Sequence, residues 1–122
     1  MAAPNIVNVT SIYGKTMGAA LSTTVTTTIL TCPANKVLKI NSILVANVDG
    51  TNAADATVQF FDSSAATSYN LAKTIAVPAD STLVVISKDT AIYLEESDQI
   101  RGGASATSDL EITISYEELD DA

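Results

Sequence analysis

Apolar residues in this chain recur at every second position over short runs, and no stretch of twelve or more residues carries a helical 3.6-residue apolar repeat with caps at its ends. Alternation of that kind places successive side chains on opposite faces of a pleated strand. The residue types agree, because Thr, Val and Ile make up nearly a third of the sequence. Branching at Cβ restricts χ1 and suits a half-buried sheet better than a helix. The periodicity predicts strands over Asn5–Tyr13, Thr23–Thr31, Lys36–Val48, Thr57–Phe61, Tyr69–Val77, Thr82–Ser87, Ala91–Leu94, Gln99–Ser105 and Leu110–Glu117. The last has the cleanest pattern, with Leu110, Ile112, Ile114 and Tyr116 inward and Glu111, Thr113, Ser115 and Glu117 outward. In Lys36–Val48, Leu38, Ile40, Leu44, Ala46 and Val48 form one row, while Val37, Ile43 and Val45 interrupt the other. A run of this length points to a strand bent by a bulge, or to two strands in sequence.

Turn chemistry separates these runs about every ten residues. Asp49-Gly50 is a pair that can supply positive φ, Asn52 and Asp62-Ser63-Ser64 are loop formers, and Pro78-Ala79-Asp80-Ser81 makes a corner. Gly102-Gly103 inside a strand points to a bulge or a close backbone approach. Many short strands, regular turns and no helix define an all-β chain. The expected fold is a single-domain antiparallel β-sandwich of about eight strands, jelly-roll or Ig-like. One domain over 1–122 is expected, with a short flexible N-terminal segment, 1–4, and an acidic C-terminal tail, 118–122. At 122 residues the length supports one core and no second.

Composition removes several kinds of function. With no His, neither a His-ligated metal nor a His-based triad is possible, and the single Cys, Cys32, has no disulfide partner in the chain. Six Lys and Arg are too few for sequence-independent binding of nucleic acid. No apolar run approaches the ~20 residues of a membrane span, and Met1–Pro4 does not open like a secretion signal. Asn8-Val9-Thr10 matches a glycosylation acceptor, which without such a signal is a chance match.

The remaining features are read as surface. Glu95-Glu96-Ser97-Asp98 are adjacent carboxylates in a turn, with nothing to enclose a substrate between them. Asp49, Asn52 and Asp55 are the candidate calcium ligands, fewer than the six to eight oxygens calcium takes. Cys32 lacks a neighbouring base and reads as a small buried residue. The expectation is therefore no enzyme and no cofactor. Charge is strongly segregated: all 14 acidic residues lie from Asp49 onward, and Lys15, Lys36 and Lys39 are the only charges before it. If folding keeps these halves apart, contacts between copies become electrostatically steered. Phe60-Phe61 sends one ring into the core and the other outward, and Phe61 is the expected outward ring, covered by a loop or by another subunit. The interface candidates are Phe61, Tyr69, Lys36, Lys39, Glu95, Glu96 and Asp98.

Three segments carry a resemblance. Lys39–Asn47 with the Asp49-Gly50-Thr51 loop, then Val77–Leu83, then Ile92-Tyr93-Leu94-Glu95-Glu96-Ser97-Asp98-Gln99-Ile100, together resemble small virion structural proteins of tailed bacteriophages, most like those of cyanobacterial and other marine phages. The likeness runs from about Asn5 to Glu118. In the third segment Ser97 stands where the related turn, Leu-x-x-Gly-Asp-x-Ile, has Gly, a departure that bears on turn type and not on the hairpin. The resemblance implies a non-enzymatic β-sandwich present in many copies, as a capsid decoration or cement protein on the outer head surface. Its implied partners are the major capsid protein or other virion proteins, and itself as a homo-oligomer, a trimer being one form. The implied location is the virion, assembled in the host cytoplasm. A neck, tail or fibre-associated adaptor is the alternative of the same origin. A receptor- or glycan-binding module, with recognition in Asp62–Ser68 and Gly102–Ser108, is the alternative of another class.

Overall fold

The computed structural model describes residues 9–120. Nine strands form two antiparallel sheets: β1 (Ser11–Ala20), β2 (Thr28–Thr31), β3 (Lys36–Asn47), β4 (Ala54–Asp62), β5 (Thr67–Val77), β6 (Thr82–Ile86), β7 (Ile92–Leu94), β8 (Gln99–Ala104) and β9 (Leu110–Asp120). One sheet runs β1-β9-β3-β6 with β7 also on β3, and the other runs β2-β8-β4-β5. β6 and β7 lie end to end along β3, opposite Ile43–Ala46 and Leu38–Ile40, with a 3₁₀ turn at Lys88–Thr90 between them. They act as one interrupted strand. Counted so, the first of eight strands pairs with the last, the second with the seventh, the third with the sixth and the fourth with the fifth. That is one long hairpin rolled on itself, the jelly-roll connectivity, and it decides between the two sandwich types the sequence leaves open.

The long run 36–47 is one strand, β3, bent by a bulge. Its register with β9 slips between Ile40 and Ser42, leaving Asn41 as the extra residue. Ile40 and Ile43 can then both point inward, and both are fully buried. Leu38, Val45, Leu94, Ile100, Leu110, Ile112 and Ile114 complete the centre of the core, with Ala56 and Val58 facing them from β4. Gly102 and Gly103 are sites of close approach: a Cβ on Gly103 would lie 2.7 Å from the Val25 Cα and 2.8 Å from the Thr24 carbonyl oxygen. The segment between β1 and β2 folds down onto β8 there, and the Gly102 N–H donates to Thr27 O at 2.9 Å and the Ala104 N–H to Ser22 O at 2.8 Å.

β4 and β5 start two or three residues earlier than expected, at Ala54 and Thr67, and three further boundaries differ for identifiable reasons. β1 starts at Ser11 and continues through Gly14, Lys15 and Gly18, which local propensity disfavours; the ladder along β9, unbroken from Ser11 to Ala20, holds them in the sheet. Residues 5–8 of the expected first strand, and segment 1–4, lie outside the described residues. Thr23–Thr31 is a strand only from Thr28, because its hydroxyls serve a local turn: Thr27 Oγ1 donates to Thr24 O at 2.7 Å and the Thr24 N–H to Ser22 Oγ at 3.3 Å. At the other end, Glu118, Leu119 and Asp120 of the expected tail belong to β9, paired with Leu38, Val37 and Lys36; 121–122 lie outside the described residues.

Segregated charge becomes paired charge. β9, from the acidic part of the sequence, lies between β1 and β3, which carry the three early lysines. Lys15 Nζ is 3.2 Å from Glu118 Oε1, and Lys36 Nζ is 3.7 Å from Glu118 Oε2 and also pairs with Asp120. Lys39 sits directly across from Glu117. The asymmetry along the chain thus favours the register of the central strand.

Candidate functional site

The jelly roll has two ends and two outer faces. At one end, the loops after β2, β4 and β7 meet around a single carboxylate. Asp98 is only 4% exposed. Its Oδ1 accepts the Ser63 N–H at 3.0 Å and the Ser63 hydroxyl at 3.2 Å, and its Oδ2 accepts the Glu95 N–H at 3.0 Å. Backbone bonds extend the knot: Cys32 N–H donates to Asp98 O at 2.9 Å and Ser97 N–H to Cys32 O at 3.0 Å. Glu96 accepts the Asn35 N–H. Ser97 has φ 71°, the left-handed conformation that favours Gly. Asp98 is therefore a corner post, not a contact residue, since its acceptors are spent inside the monomer. Glu96 is half-buried and engaged likewise, and of the three acids in this turn only Glu95 is exposed.

Cys32 lies under the same knot, 1% exposed, with its thiol donating to Lys36 O at 3.2 Å. Burial, reinforced by the charges of Asp98, Glu118 and Glu96, pushes the thiol up to about 11. It is held as the neutral thiol, the form that is neither nucleophile nor metal ligand.

At the opposite end, Asn47 is the organiser. Its amide donates to Val77 O at 2.9 Å and Asn52 O at 3.0 Å and accepts the Asp49 N–H at 2.8 Å. Asp49 in turn accepts the Thr51 N–H at 2.8 Å and the Asn52 N–H at 3.3 Å, and these bonds hold its carboxyl below the usual range. The calcium candidate thus has its first carboxylate occupied by its own loop, while the Asp55 N–H is tied to Ser105 Oγ at 2.8 Å. Among the described residues, no three Asp, Glu or Cys side chains are grouped to hold a metal ion.

The outer faces differ in chemistry. On the four-stranded sheet the outward residues are largely polar: Thr31, Gln99 and Ser68 surround Phe61, and Thr28, Arg101, Gln59 and Asn70 form the next row. Phe61 faces outward as expected, but its cover comes from its own chain. The Arg101 guanidinium carbon stands 3.7 Å over its ring, steered there by an Nε bond to Gln99 Oε1 of 2.8 Å. Phe60 points inward and stacks on Tyr69 with centroids 6.4 Å apart, leaving Tyr69 half-exposed at the β5 edge. Lys36 is held in the ion-pair cluster, and Lys39 lies on the other outer face.

That second face, on the five-stranded sheet, carries the apolar surface. Its register puts Ile12, Val84 and Tyr93 outward together with Leu44, Lys39, Thr113 and Glu117. Ile12 is 58%, Val84 56% and Tyr93 47% exposed. Where Gly18 and Ala20 leave gaps beside Glu111 and Thr113, the face sinks into a shallow recess of about 320 Å³. Sequence reading passed over Val84 and Tyr93, although alternation with the core residues Ile86 and Leu94 marks both as outward. The arrangement offers shape, apolar contact, one positive charge (Lys39) and two negative ones (Glu111 and Glu117), the chemistry of a binding surface. No helix among the described residues is long and apolar enough to cross a membrane. No protein-family model matches the sequence, and no curated protein matches it.

Proposed function

We propose that this chain is a structural protein of a tailed-bacteriophage virion that decorates the head, docking in many copies on the shell's outer surface through the outer face of its five-stranded sheet. The observation that carries the reading is the contrast between the faces: one is polar with its aromatic ring capped internally, and the other presents Ile12, Val84, Tyr93 and a recess to solvent. Loops tied down at both ends by Asp98 and Asn47 give a rigid frame, so that docking loses little conformational freedom. The resemblance of Lys39–Asn47, Val77–Leu83 and Leu94–Ile100 to phage virion proteins supplies the setting and names the major capsid protein as partner. A net charge of −8 keeps free copies dispersed until they dock.

Co-sedimentation of the purified chain with empty heads tests the proposal. Binding saturates at a stoichiometry set by shell sites, and Val84→Lys with Tyr93→Glu abolishes it without changing the melting temperature. Undiminished binding of that variant refutes the assigned face. Binding of the native chain to isolated tails but not to heads refutes decoration and assigns the protein to the neck or tail.

A further inference from the structure

Sheet edges that expose unpaired backbone groups are normally shortened, bulged or charged. Three edges here follow that rule. β2 has four residues, β5 slips register twice against β4 and carries Thr74 at φ 47°, and β6 and β7 are short pieces separated by a turn. β1 does not. It runs ten residues in unbroken register with β9, contains no Pro, and has one charge, Lys15, already paired with Glu118. Among the described residues no strand lies on its outer side.

The direction of its hydrogen bonds follows from the residue after it. The Leu21 N–H donates to Leu110 O at 2.9 Å, so in the alternating antiparallel ladder residues 13, 15, 17 and 19 face β9. Ile12, Gly14, Thr16, Gly18 and Ala20 therefore turn their N–H and C=O groups away from it, and all five are exposed. We propose that this edge pairs with the same edge of a second copy, antiparallel about a two-fold axis at Thr16, joining two five-stranded sheets into one.

The edge is self-complementary in that register. Thr16 meets Thr16 of the second copy, Gly14 meets Gly18, and Ile12 meets Ala20, each pair exchanging two backbone bonds. Between them Lys15 lies beside Met17, and Tyr13 beside Ala19. Ile12 and Tyr13, two of the most exposed large apolar side chains, are covered, and no like charges face each other. The two-fold axis is normal to the sheet, so the apolar outer faces lie side by side. About ten backbone bonds form over a ladder of roughly 30 Å, the hydrogen-bond complement of a standard interface on a smaller area. Pairing is therefore concentration-dependent. Ile12 belongs to both surfaces, while Val84 and Tyr93 stay open on the outer face of the pair.

Sedimentation equilibrium on the full chain from micromolar to millimolar concentration tests the pairing, with amide hydrogen exchange on the same samples. The expected result is a monomer–dimer equilibrium, in which exchange at Ile12, Gly14, Thr16, Gly18 and Ala20 slows with concentration while Tyr13, Lys15, Met17 and Ala19 are protected throughout. Thr16→Pro removes an N–H that β9 does not use and should weaken dimerisation about a hundredfold or more, with the monomer still folded. Thr16→Lys, which leaves the backbone intact and opposes like charges at the axis, reads the same contact should the proline variant misfold. A native chain monomeric at millimolar concentration, or a dimer that survives both variants, overturns the proposal. If the monomeric chain instead loses head binding on Thr16→Lys, the edge belongs to a strand of the shell and not to a second copy.

Discussion

Replacing Asp98 by Ala tests whether one carboxylate holds an end of the jelly roll. The substitution removes three accepted bonds, from the Ser63 N–H, the Ser63 hydroxyl and the Glu95 N–H. Two of these donors are backbone groups in part-buried bonds, and bonds to a charged acceptor are worth about 1.5–3 kcal/mol each. The Ser63 hydroxyl can rotate toward Glu96 O, at 3.4 Å, and so recovers part of its loss. The expected destabilisation is about 3–5 kcal/mol, a large share of the 5–15 kcal/mol typical of a domain. With an unfolding entropy near 2.1 cal/mol/K per residue over 122 residues, this lowers the melting temperature by about 12–20 °C. Urea unfolding at pH 7, followed by circular dichroism, measures it directly. Asp98→Asn, which keeps one acceptor and the shape, should lose clearly less. A loss below about 1 kcal/mol for Asp98→Ala would show that the loops hold without it and would refute the reasoning.

Three other perturbations read separate parts of the structure. Gly103→Ala drives a Cβ into the backbone of Ser22–Val25 and should cost about 2–3 kcal/mol, whereas Gly14→Ala, with nothing within 4 Å, should stay within about 0.5 kcal/mol; equal effects would contradict the close approach. Ala66 has φ 52°, so Ala66→Gly should stabilise by about 0.5–1 kcal/mol in the same urea assay, and a loss would mean that the turn does not hold that conformation. Cys32 titrates above its ordinary value of 9.0, at about 11, in the folded state, so its contribution is complete below pH 9 and is lost as pH rises toward 11. Stability should fall more steeply over that window than in Cys32→Ala, and the native thiol should resist alkylation at pH 8; a matching pH profile in the variant would rule the effect out.

Much of this architecture is readable from alternation because alternation is what burial on one face imposes. β9 shows it most plainly: Leu110, Ile112 and Ile114 are fully buried, and Glu111 and Thr113 are exposed. The bulge in β3 was suggested by the strand's length, but its effect on the rows was not: alternation groups Ile40 with Leu44 and Ala46, whereas the extra residue at Asn41 turns Ile43 and Val45 inward. Asn47 faces inward in that shifted row, and its partners across two loops come from the fold. Asp98 was harder. An acid in an acidic turn reads as solvated, and only the fold brings Ser63 to it from another loop. Propensity misled at the Thr-rich segment after β1, where hydroxyls that suit a strand also satisfy a local turn, and at β1, where pairing with β9 outweighs two glycines. The charge asymmetry was visible, but its use depends on β9 lying between β1 and β3, a consequence of topology.

Gold-labelled copies of the chain imaged on virions test the central claim, that this protein acts by docking on the head of a phage particle. The account predicts label over the outer surface of the heads, at regular spacing, lost when Val84 and Tyr93 carry charge. Label confined to tails, or none on particles at saturating concentration, contradicts it.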